Sequence, residues 1–224
     1  MSLMKKNQAP IWWTKHFMIT HPTVFVTTIG KVKGKYIHGV APIATCLDTS
    51  LNPPYITFSI SKTQHSLVWK NKNSGKTNTY SNIRQNNSFI VNIPDKKMRN
   101  MLDILSFPRL RKDYTDKLKE AGLRTSKAIF LDWIAPPIID DCIAHLECRV
   151  VDIHLPKWSD HYQVTGRVVG ISYDPRLGST IDNIKQNLAK NIFHYFWSSE
   201  TRESRYIGFI ETEISENNHN FLMK

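Results

Sequence analysis

Cysteine is scarce in this chain of 224 residues. Cys46, Cys142 and Cys148 are its three cysteines, and that odd count argues against a secreted disulfide framework and for a reducing cytosol. Glycine is scarce too, at 9 residues, and no segment is repetitive or low in complexity. No apolar run approaches the roughly 20 residues needed to cross a bilayer. Lys5 and Lys6 lead into Asn7, Gln8 and Pro10, not into the apolar core of a secretory signal. A soluble protein with no membrane partner is expected. Acidic residues are outnumbered 19 to 30, leaving a net charge of +11. That excess suggests an anionic partner such as nucleic acid or a phosphorylated small molecule. The basic residues are scattered, with short clusters at 31–35, 70–76 and 109–119. Nucleic-acid binding is therefore the weaker expectation, since no reading motif accompanies the charge.

Several chemistries are missing as well. The stretch Asn73 to Thr79 holds a Gly-Lys-Thr, but a phosphate-cradling P-loop needs glycine where Lys70 stands. There is no Gly-x-Gly-x-x-Gly and no Gly-x-Ser-x-Gly elbow. Cys142, His145 and Cys148 follow one another at even steps that match no usual zinc pattern, so no metal is expected. Asp140 and Asp141 follow a proline pair and read as a strand-entry turn.

What is present reads mainly as β-structure. The run 24–30, a Gly-containing loop and the run 36–46 make a hairpin pattern. Segments 55–60 and 88–93 are β-branched or aromatic and read as further strands. The run 142–155 alternates, with Cys142, Ala144, Leu146 and Cys148 on one side and Ile143, His145 and Glu147 on the other. Segment 161–173 is its expected antiparallel partner, and 206–212 is the last strand. Helices are expected at 66–72, at 96–105 with Met98, Met101, Leu102 and Leu105 on one face, and at 111–123 with Gly122 as the stop. Ser179 or Thr180 should cap another that carries Ile181, Ile184, Leu188 and Ile192. Strands without strict βαβ alternation point to an antiparallel barrel or sandwich.

In order along the chain, these segments resemble the flavin-reductase-like FMN-binding split-barrel family. GVAPIATC followed by NPPYITFSIS is similar to its "N-x-A-P-x-S … S-P-P" signature, and NTYSNIRQNNSFIVNIP to its "D-T-x-x-N-I … E-F-V-V-N" signature. SRYIGF resembles the closing "Y-x-x-L-G" element. Gly39 stands where the family has Asn, Asn78 where it has Asp, and Ser88 where it has Glu.

The resemblance implies a six-stranded antiparallel Greek-key split barrel with peripheral helices over residues 21–213, after an extension (1–20) and before a polar tail (214–224). It implies a homodimer binding FMN, with NADH or NADPH as electron donor. The flavin ring falls to Gly39, Ala41, Pro42, Ile43, Ala44, Thr45 and Cys46, where small residues and a proline free backbone groups for a ligand. The phosphate falls to Ser59, Ser61, Lys62 and Thr63 together with Lys76, Thr79, Ser81 and Asn82, a set of hydroxyls, amides and cations suited to a dianion. His145 is a candidate catalytic residue on its strand, against the plainer reading of a packing histidine. The competing reading of the whole chain is a flavin carrier without catalysis.

Overall fold

Alternation of Val24, Val26 and Thr28 with Phe25, Thr27 and Ile29 gives the first strand two faces, and both are covered. The computed structural model describes residues 22–62, 78–106, 116–191, 193–197 and 205–209. In it β1 (Val24–Val32) is buried from Val24 through Gly30. It turns back at Lys33 and Gly34, whose φ values of +48° and +82° give the mirror-image turn that suits twisted strands, into β2 (Lys35–Ile43). β3 (Leu47–Leu51) and β4 (Pro54–Ser61) form a second hairpin. Then come α1 (Asn78–Asn86), β5 (Ser88–Ile93), a 3-10 turn over Lys96–Met101, α2 (Leu102–Ser106) and α3 (Lys117–Glu120). β6 (Thr125–Ser126) and β7 (Ile138–Ile139) are a short pair, and β8 (Ala144–His154) and β9 (His161–Tyr173) the longest hairpin. α4 (Ile181–Asn191), β10 (Phe193–Trp197) and β11 (Arg205–Phe209) complete the described chain.

The main sheet has seven strands in the order β2-β1-β5-β8-β9-β4-β3, and every neighbouring pair is antiparallel. From β2 at one edge the chain crosses to β3 at the other, then returns from β4 to β5, which lies between β1 and β8. Residues from both halves of the sheet meet in one core: Val24, Val26, Ile43, Phe58, Ile60, Phe89 and Val164. The sheet therefore curls into a barrel, split between β2 and β3, which are not hydrogen-bonded neighbours. Phe58 and Phe89 meet edge to face at 5.0 Å and 82° inside it, a geometry that adds about 0.5–1.5 kcal/mol to the burial of the rings. Tyr80 and Ile83 bring α1 into the same core.

The outer face of β1 and β2 is covered separately. Phe25 and Val40 pack there against Met98, Leu102, Leu105, Leu118, Ile139 and Cys142. Lys117 Nζ donates to the Leu105 carbonyl at 2.7 Å, which ties α3 to the end of α2.

The expected count of six strands is corrected to seven in the main sheet. β3 reads Leu-Asp-Thr-Ser-Leu, with no apolar alternation, and is held as an edge strand by pairing with β4. β10, an aromatic run not expected as a strand, pairs with β11 in a separate sheet. Of the helix expected over 111–123, the described part is α3 from Lys117, capped by the extended Asp116, while residues 111–115 lie outside the described residues. The helix expected over 96–105 is a 3-10 turn followed by α2, with Met98, Leu102 and Leu105 buried as anticipated. β8 starts only at Ala144, so Cys142 does not share a face with Cys148. It sits instead under the helices, its Sγ 3.7 Å from the Met98 sulfur. Thr180 Oγ1 accepts the Asn183 amide at the start of α4. The helix expected at 66–72 lies outside the described residues.

Candidate functional site

Three segments converge where β4 ends. Thr45, just past β2, accepts the backbone N–H of Ser59 on its Oγ1 at 3.1 Å. The Lys62 amide donates to the Asp160 carbonyl at 2.7 Å, anchoring the exit of β4 beside the start of β9. Tyr80, in the first turn of α1, stacks on Tyr162 with ring centroids 4.1 Å apart, and Tyr162 is the strand partner of Ile60. So Ala44, Thr45 and Cys46, the run Ser59 to Lys62, and the helix start carrying Thr79 and Ser81 lie around one end of the barrel. Thr63 and Lys76 lie outside the described residues.

The donor set matches what an anion needs. Thr45 and Lys62 are exposed, and Ser59, Ser61 and Ser81 are half-buried. The first amides of a helix have no partner within it and point outward, where the helix dipole favours negative charge. Pro42 does not interrupt the β1–β2 ladder as expected. It pairs with Phe25, and Ala41 and Ile43 also keep their partners. The free backbone groups of this segment come instead from β2 being an edge strand of the sheet.

Several residues of the expected set are buried or engaged within the protein, Thr79 among them at 8% exposure. Asn82 is fully buried, its Nδ2 donating to Thr28 Oγ1 at 3.1 Å beside Gly39. Cys46 packs against the barrel core, and burial, assisted by Asp48, pushes its thiol up to about 12.

His145 is placed elsewhere. It pairs with Asn92 on β5 and Ser172 near the end of β9, whereas Ser59 pairs with Gln163 near the start of β9. At about 3.3 Å per residue those positions are on the order of 30 Å apart along the strand. His145 is 7% exposed, and its Nδ1 lies 3.0 Å from Asn92 Oδ1. Burial lowers its pKa, opposed by Asp140 and Glu147. Within one chain the structure does not bring it to the hydroxyl cluster. The residues that sequence reasoning missed are Asn92, which organises this buried network, and the Tyr80–Tyr162 stack. Neither residue type signals such a contact in the local sequence, and only the register reveals their pairing.

This barrel, with hydroxyls, helix amides and an edge strand gathered at one end, coincides with a match of residues 16–187 to the flavin reductase like domain. The chain belongs to the flavin reductase-like domain family. Solved structures share its fold at low identity. Flavoredoxin from Methanosarcina acetivorans superposes with a TM-score of 0.60 at 17% identity, covering 100% of both chains. Nitrilotriacetate monooxygenase component B from Bacillus cereus gives 0.67 at 17%, covering 96% of this chain and 100% of its own. The FMN-binding protein from Thermus thermophilus with bound 1-cyclohex-2-enone gives 0.62 at 17%, covering 94% and 98%. The family's split barrel is thus the fold of this chain.

Proposed function

We propose that the chain binds FMN and acts as a flavin reductase-like oxidoreductase, taking electrons from NADH or NADPH and passing them to an acceptor. The observation that carries this reading is the contact between Thr45 and Ser59, which joins the edge-strand segment to the serine cluster. A flavin phosphate needs hydroxyls, amides and a cation, and Ser59, Ser61, Lys62 and the start of α1 supply all three. The pyrimidine edge of the ring needs backbone donors and acceptors beside small side chains, as Ala41 to Thr45 offer on the open edge of β2. Bound FMN supplies the electron transfer itself, and the protein contributes position and electrostatics.

The chain is proposed to pair as a homodimer. In support, Ile129 and Trp133 are 63% and 87% exposed on a segment fastened to the sheet. Asp132 pairs with Arg149 at 2.8 Å, and Lys127 lies over the Trp133 ring at 4.3 Å. Such an exposed apolar pair on a fastened segment suits self-association. The free thiols of Cys46, Cys142 and Cys148 fit a cytosolic location.

Calorimetry with FMN and riboflavin, followed by NADH and NADPH oxidation, tests the reading. FMN should bind more tightly than riboflavin and support turnover, with sedimentation at about twice 26.0 kDa. Equal affinity for the two flavins sinks the phosphate assignment, tight FMN without nicotinamide oxidation favours a carrier, and a clean monomer that still holds FMN removes the dimer.

A further inference from the structure

Asn82 is fully buried, and the fold makes room for its side chain at two places. A Cβ on Gly30 would stand 2.2 Å from Asn82 Oδ1, and one on Gly39 would stand 2.8 Å from its Nδ2 and 2.7 Å from Thr28 Oγ1. Real Cβ atoms essentially never come so close, so a side chain at either position would push the carboxamide out of its place. Nδ2 then donates to Thr28 Oγ1 at 3.1 Å, and Thr28 is the strand partner of Gly39. The side chain therefore crosses from α1 onto the seam of the β1–β2 hairpin. On its helix it is the neighbour of Ser81 and one turn from Thr79. On the hairpin it abuts the strand that runs from Gly39 into Ala41 to Cys46.

One buried carboxamide thus ties the element bearing the phosphate groups to the element bearing the ring segment. We propose that Asn82 is a positioning residue that sets the spacing between these two halves of the flavin site, so that ring and phosphate are engaged together. The inference rests on the FMN reading given above. Two half-sites held at the right separation bind a two-part ligand without ordering costs, and a loosened pair loses chiefly the second contact. A plain helix-to-sheet fastener would also be buried and hydrogen-bonded, but it would not discriminate between flavins.

The test is the ratio of FMN to riboflavin affinity, measured by calorimetry well below each variant's melting temperature. Asn82→Ala and Thr28→Val, which remove the donor and the acceptor of the same bond, should each lower that ratio roughly fivefold to tenfold while riboflavin affinity holds. Thr28→Ser keeps the hydroxyl and should keep the wild-type ratio. Should Asn82→Ala fail to fold, the near-isosteric Thr28→Val decides alone. A lower melting temperature with an unchanged ratio overturns the positioning role and leaves a fastener. Wild-type protein that prefers FMN, with variants whose ratio is unchanged from it, defeats this inference alone. Wild-type protein that binds neither flavin, or both equally, defeats the phosphate assignment and this inference with it.

Discussion

His145 donates its Nδ1 hydrogen to Oδ1 of Asn92 across 3.0 Å, and the rest of the Asn92 side chain settles that direction. The same Oδ1 accepts the Ile139 amide at 3.0 Å, while Nδ2 donates to the Phe25 carbonyl at 3.0 Å and to Thr27 Oγ1 at 3.1 Å. Turning the carboxamide over would set its NH2 against the Ile139 N–H and its oxygen against a carbonyl. Thr27 in turn donates to the Pro137 carbonyl at 2.7 Å. The imidazole is thus held with hydrogen on Nδ1, and the network links β1, β5, β8 and the segment 137–139.

The pH dependence follows with a definite sign. Burial lowers the pKa of His145, and likewise that of His38, below the usual value. The unfolded chain therefore takes up the proton first, and stability is lost as pH falls below roughly 6.5. His145→Gln should flatten the fall in urea midpoint between about pH 7 and 5. His145→Ala should cost about 1–3 kcal/mol by removing a buried ring and one of the two donors to Asn92 Oδ1, with FMN affinity and nicotinamide oxidation of the folded protein unchanged. A variant of normal melting temperature but slowed about a hundredfold would restore a catalytic role, since that is the usual cost of losing a positioned proton donor or acceptor.

Glu147 is fully buried and accepts three successive amides, Ile129 at 2.8 Å, Phe130 at 2.8 Å and Leu131 at 2.9 Å. Its strand partner Gly170 lies beneath Phe130, where a Cβ would meet the ring 2.0 Å away. Both residues hold the same segment down. Glu147→Gln places an NH2 against an N–H and should cost about 1–3 kcal/mol. Gly170→Ala should lift the segment as well, so the double variant should lose less than the sum of the singles. Hydrogen exchange at 129–131 reports the release directly. Additive losses with unchanged exchange there would disprove the shared fastening.

Gly166 faces the barrel interior, and a Cβ there would stand 2.4 Å from the Phe89 ring. Phe89 is fully buried against Phe58 and cannot swing away. Gly166→Ala should therefore cost about 1–3 kcal/mol by overpacking, and Gly166→Ala with Phe89→Leu should recover part of it. Thermal unfolding of the pair checks the compensation.

The strands that were legible are those whose sequence alternates and is bounded by turn residues. β5 and β9 have the boundaries expected, because Ser88–Ile93 and His161–Tyr173 are rich in β-branched and aromatic residues. β3 was not legible, since an edge strand is defined by the partner it leans on, not by its own pattern. The family resemblance, not local spacing, pointed to the hydroxyl residues around β4, and neither showed that Asn82 turns inward, because that depends on glycines on β1 and β2. His145 was read from alternation as facing away from Cys148, which holds. What covers that face, Asn92 and the segment bound to Glu147, comes from distant sequence and had no local signal.

Cys46 sits in the segment assigned to the flavin ring, and its thiol chemistry tests how tightly that segment packs. Burial and the nearby Asp48 carry its pKa up to about 12. Burial also raises those of Cys142 and Cys148. Thiolate is the reactive form, so folded protein at about pH 8 should react with iodoacetamide at least a hundredfold more slowly than a free cysteine. Because the folded pKa lies above the unfolded one, these thiols support stability below roughly pH 9, and that support fades as the pH rises toward 12. Cys46→Ser should flatten the alkaline side of the stability curve without changing its acid side. Rapid alkylation of Cys46 in native protein, located by peptide mapping, would mean that the turn after β2 opens readily and that its packing against the core is not maintained in solution.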